Sequence, residues 1–550
     1  MKTMKIQRYF LLLAACGMLT TACDDYVDIN RSTTGVTDED LEAGGLIYGT
    51  QLMDMQQRVI PIGSPNQTTG PGNDIAVTDV MSSGQYVGYF GMNNNWRMST
   101  EATWDFTDAR MHYAYEQLYM KVYQPWVQIF QKIGDSEEPE NMEIMSIFNI
   151  VRVAGWLRAT DSFGPIVYSN AGKGSLSPTP DKQEDVYKFM LQDLEKCVAV
   201  LNKATSNIMP KYDLVYEGNP AKWVKLANSL MLRMAVRVRF VAPDLAREYV
   251  AKALDAQNGG VIEVKADEAK MGSTSKFPLL NPFIATIDYK ESRMGATAWS
   301  YLLGYNDPRV EKYYTKGNWY GEGYFCIAPG NTEGKAEGEN KAEFASCPKF
   351  EGADPIYWFR ASETYFLKAE AALAKLTGGD AKTFYEEGVR MSMDEWGLAA
   401  EADSYLSQND AKPKPIGIYD YGYGLSRNYS SDISEGNVSP KWKENGTEDE
   451  HMQQIITQKY LALYPNGVEA WTEYRRTGYP YLMNLYDPSF PNKIGAESTA
   501  RAPERFKFAA DEYKGNEEGM KEIENLLGGP DKGGTKLWWV NPNRPVQNNR

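Results

Sequence analysis

From Asp108 onward, apolar residues in this chain recur every three or four positions. Tyr115, Leu118, Tyr119, Val122, Trp126, Ile129 and Phe130 fall on one side of an amphipathic helix. A partner is expected over 139–161, with Ile144, Ile147, Phe148, Val151, Ala154 and Leu157 on its face. Asp181 to Glu184 reads as the start of a third helix running to about 201, and Asn219-Pro220 as cap and first-position proline of a fourth. Trp223, Leu226, Ala227, Leu230, Met234 and Val238 share one side of that fourth helix, while Arg233 and Arg237 lie on another. Further helices are expected at about 243–256, 357–376, 380–397, 449–464 and 467–475.

Three stretches break this period. Residues 57–107, 257–355 and 400–447 are rich in Gly, Pro, Asn and Tyr and read as loops. Residues 24–50 read as an extended, then helical, tether, and the tail beyond 476 as mostly irregular. The pattern is that of an all-α helical-repeat scaffold of paired helices, without a clean 34-residue letter repeat. Loops of this length inside a folded chain are usually functional, so the site is expected there.

The first 22 residues follow a different logic. A basic start (Lys2, Lys5, Arg8) precedes an apolar run from Tyr9 to Leu19, then Thr20-Thr21-Ala22 and Cys23. That order is a secretory signal whose core is too short to persist as a membrane span. Small residues before a cysteine are what bacterial lipoprotein processing requires, so cleavage before Cys23 with lipid on its thiol is expected. Leu13-Ala14-Ala15-Cys16 is the competing site, but cleavage there would leave a core of only about seven apolar residues. Asp24-Asp25 resembles an export signal to the outer face of the outer membrane.

Removing residues 1–22, with three basic and no acidic side chains, takes the formal charge from −15 to −18. Such a surface repels phosphate backbones and argues against nucleic acid as a partner. Cys197, Cys326 and Cys347 are too few for a disulfide framework, and whether Cys326 and Cys347 pair is open. The 36 Tyr and 13 Trp against two His point weakly towards sugars, whose C–H faces stack on flat rings. His112 and His451 cannot form an H-E-x-x-H zinc site, and no nucleophile-elbow, dinucleotide or P-loop pattern occurs. No pattern among 73 acids selects the pair a glycosidase needs. No cofactor, catalytic group or metal-ligand motif is therefore expected; a calcium ion in an Asp-rich loop stays open, with no recognisable ligand loop to support it.

Several segments together resemble the SusD/RagB family of outer-membrane glycan-capture lipoproteins. They are Cys23 to Asn30, Trp156 to Tyr168 (with Val167 where proline is usual), Lys222 to Ala235, Asp307-Pro308-Arg309, Glu363 to Ala372 and, most specifically, Gln458 to Pro480. The resemblance spans nearly the whole chain in order. It implies four tetratricopeptide-like helix pairs, a shallow glycan site on loops, and a SusC-like TonB-dependent transporter as partner. Most of the matching residues read as structural: Trp223, Asn228 and Arg233 would orient helices, and Glu363, Glu370, Glu469 and Arg475 would form buried ion pairs.

Sugar binding needs flat apolar faces together with fixed donors and acceptors. Asn94, Asn95 and Trp96, with Tyr86 and Tyr89, supply both kinds of group, as do Trp319, Tyr320 and Tyr324 between glycines; Tyr301, Tyr305, Tyr419, Tyr421 and Tyr423 are secondary candidates. The expected function is capture of oligosaccharides at the cell surface and their delivery to the transporter. Peptide capture, as in RagB-like relatives, is the alternative, and a glycosidase the remote one.

Overall fold

The computed structural model describes residues 46–62, 74–91, 104, 107–274, 277–288, 292–318, 321–329, 345–416, 433, 438–484 and 489–547. Gln51–Arg550 forms one compact unit and Met1–Thr50 another. Cys16, Cys23 and the leader lie outside the described residues.

The scaffold is a stack of helices: α1 (Lys121–Ile133), α2 (Pro139–Phe163), α3 (Gln183–Leu201), α4 (Pro220–Arg237), α5 (Pro243–Leu254), α6 (Ala361–Leu373), α7 (Ala381–Glu395), α8 (Glu448–Leu463) and α9 (Gly467–Thr477). Neighbours pack in chain order from α1 to α5; α4 also packs on α6, and α6 on both α7 and α8. Starts follow capping chemistry. Asn219 accepts a hydrogen bond from the Lys222 amide at 3.2 Å ahead of Pro220, and Thr447 and Glu450 form a reciprocal capping box. Asp181 departs from expectation: α3 begins after Lys182, and the Asp181 carboxylate instead accepts from the Tyr168 and Ser169 amides at 2.9 and 2.8 Å.

Two further boundaries were not visible in the periodicity. The apolar face beginning at Asp108 runs through Asp108–Tyr115, a π-helical stretch Glu116–Met120, and then α1. Pro125, whose ring and missing N–H disturb the turn before it, lies inside α1, five residues past the end of the wide turn. The helix expected from about 357 is preceded by strand β6 (Ile356–Phe359), so α6 starts only at Ala361. β6 pairs antiparallel with β2 (Ala269–Met271), and Ile-Tyr-Trp-Phe suits a strand better than a helix start. Within 57–107, the stretch read as loop, Ala76–Ser83 and Gly84–Tyr86 are helical and buried, while the helix expected towards the end of 24–50 is Leu46–Val59, which runs on into the first residues of that stretch.

The motif residues hold helices together. Asp161, at the end of α2, accepts from Arg237 of α4 at 2.5 Å, Trp539 Nε1 at 2.9 Å and the Tyr187 hydroxyl of α3. Arg237 also donates to Glu469 of α9, Arg233 grips Glu363 of α6 at 2.6 and 2.7 Å, and Arg476 grips Glu370 at 2.6 and 2.7 Å. Arg309 joins Asp307 to Ser392 of α7 and Gln458 of α8, at 2.8 and 3.0 Å for the latter two. Removing one partner from such a pair costs about 3–5 kcal/mol, because the other charge is left buried. Arg475 corrects its expectation. It stacks 3.4 Å from the Trp471 ring centroid and donates to the Glu504 carbonyl and the Thr472 hydroxyl rather than to a carboxylate.

Candidate functional site

Distant loop segments are tied together by a small backbone frame. Strand β1 (Phe90–Gly91) pairs antiparallel with β3 (Arg293–Met294), with Phe90 opposite Met294 and Gly91 opposite Arg293. The Gly295 amide donates to the Tyr89 carbonyl at 3.0 Å, and the Ala298 amide to Gly88 at 3.0 Å. On the other side, the Ile327 amide donates to Met294 at 2.9 Å and the Ala296 amide to Ile327 at 3.2 Å. Close approach decides two residue types here. A Cβ on Gly295 would fall onto the Gly88 carbonyl, and one on Gly91 would lie 2.5 Å from Ile327 Cβ.

Two candidate segments leave from this frame. Asn94, Asn95 and Trp96 follow Gly91 in the chain, and Trp319 and Tyr320 connect β4 (Gly317–Asn318) to its antiparallel partner β5 (Glu322–Gly323). All five lie outside the described residues, as do Tyr419, Tyr421 and Tyr423. Tyr324, directly after β5, is partly exposed, and its carbonyl accepts from Trp299 Nε1 at 2.7 Å. Trp299 is fully buried on the helix Ala296–Gly304, with the Lys414 ammonium 4.5 Å above its ring. Its anchoring of the hairpin was missed in the sequence, where it lay unremarked within the stretch 257–355 read as loop.

The remaining candidates are core residues, and this corrects their expected role in stacking on ligand. Tyr86 is buried with its ring 5.5 Å from Trp471 and 6.4 Å from Phe506, both edge-on. Tyr89 is buried, stacks 4.6 Å from Tyr460 and donates its hydroxyl to the Tyr460 carbonyl. Tyr301 is fully buried and donates to the Tyr481 carbonyl at 3.1 Å, and Tyr305 is buried and donates to Val438. Burial pushes the Tyr89 and Tyr301 hydroxyls well above the ordinary tyrosine range, as suits permanent donors to carbonyls. Cys326 and Cys347 are not joined by a disulfide.

Among the described residues, no group of three or more His, Cys, Asp or Glu side chains could hold a metal ion, and no helix is long and apolar enough to cross a membrane. Backbone hydrogen bonds thus join segments around residues 88–91, 293–298 and 327 into one frame.

Comparison with known proteins places this arrangement. No curated protein matches the chain in sequence. Among solved structures, BT1043 is 54% identical, with a TM-score of 0.87 over 92% of this chain and 100% of that one. A SusD homolog from Bacteroides uniformis is 30% identical, with a TM-score of 0.80 over 90% of this chain and 99% of its own. A chitin-binding SusD homolog from Flavobacterium johnsoniae is 29% identical, with a TM-score of 0.81 over 90% and 99%. The helical scaffold agrees with theirs, which is tetratricopeptide-like. The profile described as SusD-like, SusD and RagB outer membrane lipoprotein, matches residues 28–540. A match of that extent makes this chain a member of the SusD and RagB family of outer membrane lipoproteins, which are binding proteins rather than enzymes.

Proposed function

We propose that this protein is a cell-surface glycan-binding lipoprotein, anchored through Cys23, that captures oligosaccharides and delivers them to a SusC-like TonB-dependent transporter. Family membership over residues 28–540 is the observation that carries the reading, and the chitin-binding relative supports a sugar as ligand. The acidic surface, at −15 formal charge for the full chain, suits a neutral polymer better than a polyanion. Trp96 and Trp319 are the assigned stacking residues, with Asn94 and Asn95 as hydroxyl partners and Tyr320 and Tyr324 beside them. A shallow site with one or two stacked rings binds weakly, as handover to a transporter requires.

Native gels cast with candidate glycans test this. Trp96→Ala and Trp319→Ala are expected to abolish retardation in the gel that retards wild type, with melting temperatures within about 1–2 °C of it. Unaltered retardation in both variants would remove the site assignment. Capture of peptides, with no retardation in any glycan, would replace the ligand class.

A further inference from the structure

The hairpin of β4 and β5 has two unlike faces. Its register sets Gly317 opposite Gly323 and Asn318 opposite Glu322. Side chains alternate along a strand and opposite residues share a face, so one face carries only the glycine pair. Gly317 is buried. The other face carries Asn318, Glu322 and, two residues after Glu322, Tyr324. Lys316 belongs to it as well, since its ammonium lies 3.2 Å from a Glu322 carboxylate oxygen. The polar side chains are thus gathered on one side, where Lys316, Asn318 and Glu322 are exposed and Tyr324 partly so.

The base of this face is fixed on both strands. After β5, Trp299 Nε1 donates to the Tyr324 carbonyl at 2.7 Å, the Phe325 amide to the Ser346 hydroxyl at 3.0 Å, and the Ser346 amide to the Phe325 carbonyl at 3.0 Å. Before β4, the Thr315 amide donates to the Cys347 carbonyl at 2.8 Å. None of these bonds uses the side chains of Lys316, Asn318, Glu322 or Tyr324. Among the described residues the Glu322 carboxylate meets only Lys316, which leaves most of its four acceptor positions open, and no hydrogen bond engages the Asn318 amide.

A sugar hydroxyl both donates and accepts, so two hydroxyls on adjacent carbons are matched by a group that only accepts beside one that does both. Glu322 is the first and Asn318 the second. Directly opposite strand positions hold their Cβ atoms about 4.5–5.5 Å apart, near enough for both polar ends to meet one such pair. Hydrogen bonds to a carboxylate are the stronger kind, and the Tyr324 ring offers a flat face next to them. A uronic acid would set a second carboxylate against Glu322, which argues for an uncharged ring. Resting on glycan capture as the function, we propose that Glu322 and Asn318 are specificity-determining residues of the site. They take two adjacent hydroxyls of a neutral pyranose whose apolar face lies on Tyr324.

The full chain, solubilised in detergent, is run in native gels cast with graded amounts of galactomannan, hydroxyethylcellulose or glycol chitin, and affinity is read from mobility against polymer concentration. Glu322→Gln and Asn318→Ala are each expected to lose about threefold or more in affinity for the retarding polymer, with melting temperatures unchanged. Lys316→Gln breaks the same ion pair without touching the hydroxyls, and is expected to stay within about twofold of wild type. Equal losses in Glu322→Gln and Lys316→Gln would mean that the pair only braces the hairpin. That result, or wild-type affinity in either Glu322→Gln or Asn318→Ala, would overturn the assignment. Where Trp319→Ala still abolishes retardation, glycan capture survives such a result; a wild-type chain retarded by none of the three polymers overturns both.

Discussion

At the scale of single residues, tyrosine has two distinct duties in this protein. Tyr89, Tyr301 and Tyr305 bury their rings and donate hydroxyls to backbone carbonyls. Tyr324 keeps part of its surface exposed beside the hairpin. Buried charge sorts similarly: Arg237 and Arg476 find carboxylates, whereas Arg475 is satisfied by a carbonyl, a hydroxyl and a ring. Glu395 makes a prediction at this scale. Its carboxyl titrates near its ordinary 4.5 when unfolded and near 8 when folded, so the folded state holds the extra proton between those values. Its contribution to stability is complete below about 4.5 and is lost as pH rises through about 8, with a slope of at most ~1.4 kcal/mol per pH unit. Urea unfolding of Glu395→Gln from pH 5 to 9 is expected to lack this fall; curves parallel to wild type would refute the assignment.

Among elements, the frame of β1, β3 and residues 325–327 matters more than its size suggests. It makes one base for segments more than 200 residues apart in sequence, and it does so through backbone hydrogen bonds, so side-chain patterns do not announce it. Gly91→Ala tests this. The added methyl meets Ile327, and overpacking of this kind costs about 1–3 kcal/mol. Glycan retardation is expected to weaken along with a fall in melting temperature, because the connection carrying Trp96 starts at this residue. If stability falls while retardation is unchanged, the frame does not position that loop.

For the molecule as a whole, helix-to-helix ion pairs and a lipid anchor serve one purpose, holding a binding surface in place outside the cell. Acyl chains contribute about 0.8 kcal/mol per buried methylene, and two or more make a durable anchor where one does not. Cys23→Ala is therefore expected to shift the protein out of the membrane fraction and to abolish incorporation of labelled palmitate. Cys16→Ala is expected to change neither. Labelling that persists in Cys23→Ala and vanishes in Cys16→Ala would move the mature start to Cys16.

Much of the scaffold was legible because helix formation is a local matter. The three-to-four spacing of Tyr115 to Phe130 and the Asn219-Pro220 cap depend on residues within a turn or two of each other. The sequence by itself therefore determined an all-α repeat, its approximate helix ends and its family. Which aromatic faces inward was decided only in three dimensions: Tyr86 and Tyr89 look like Tyr324 in any window, and contacts with Trp471 and Tyr460, nearly 400 residues away, make them core.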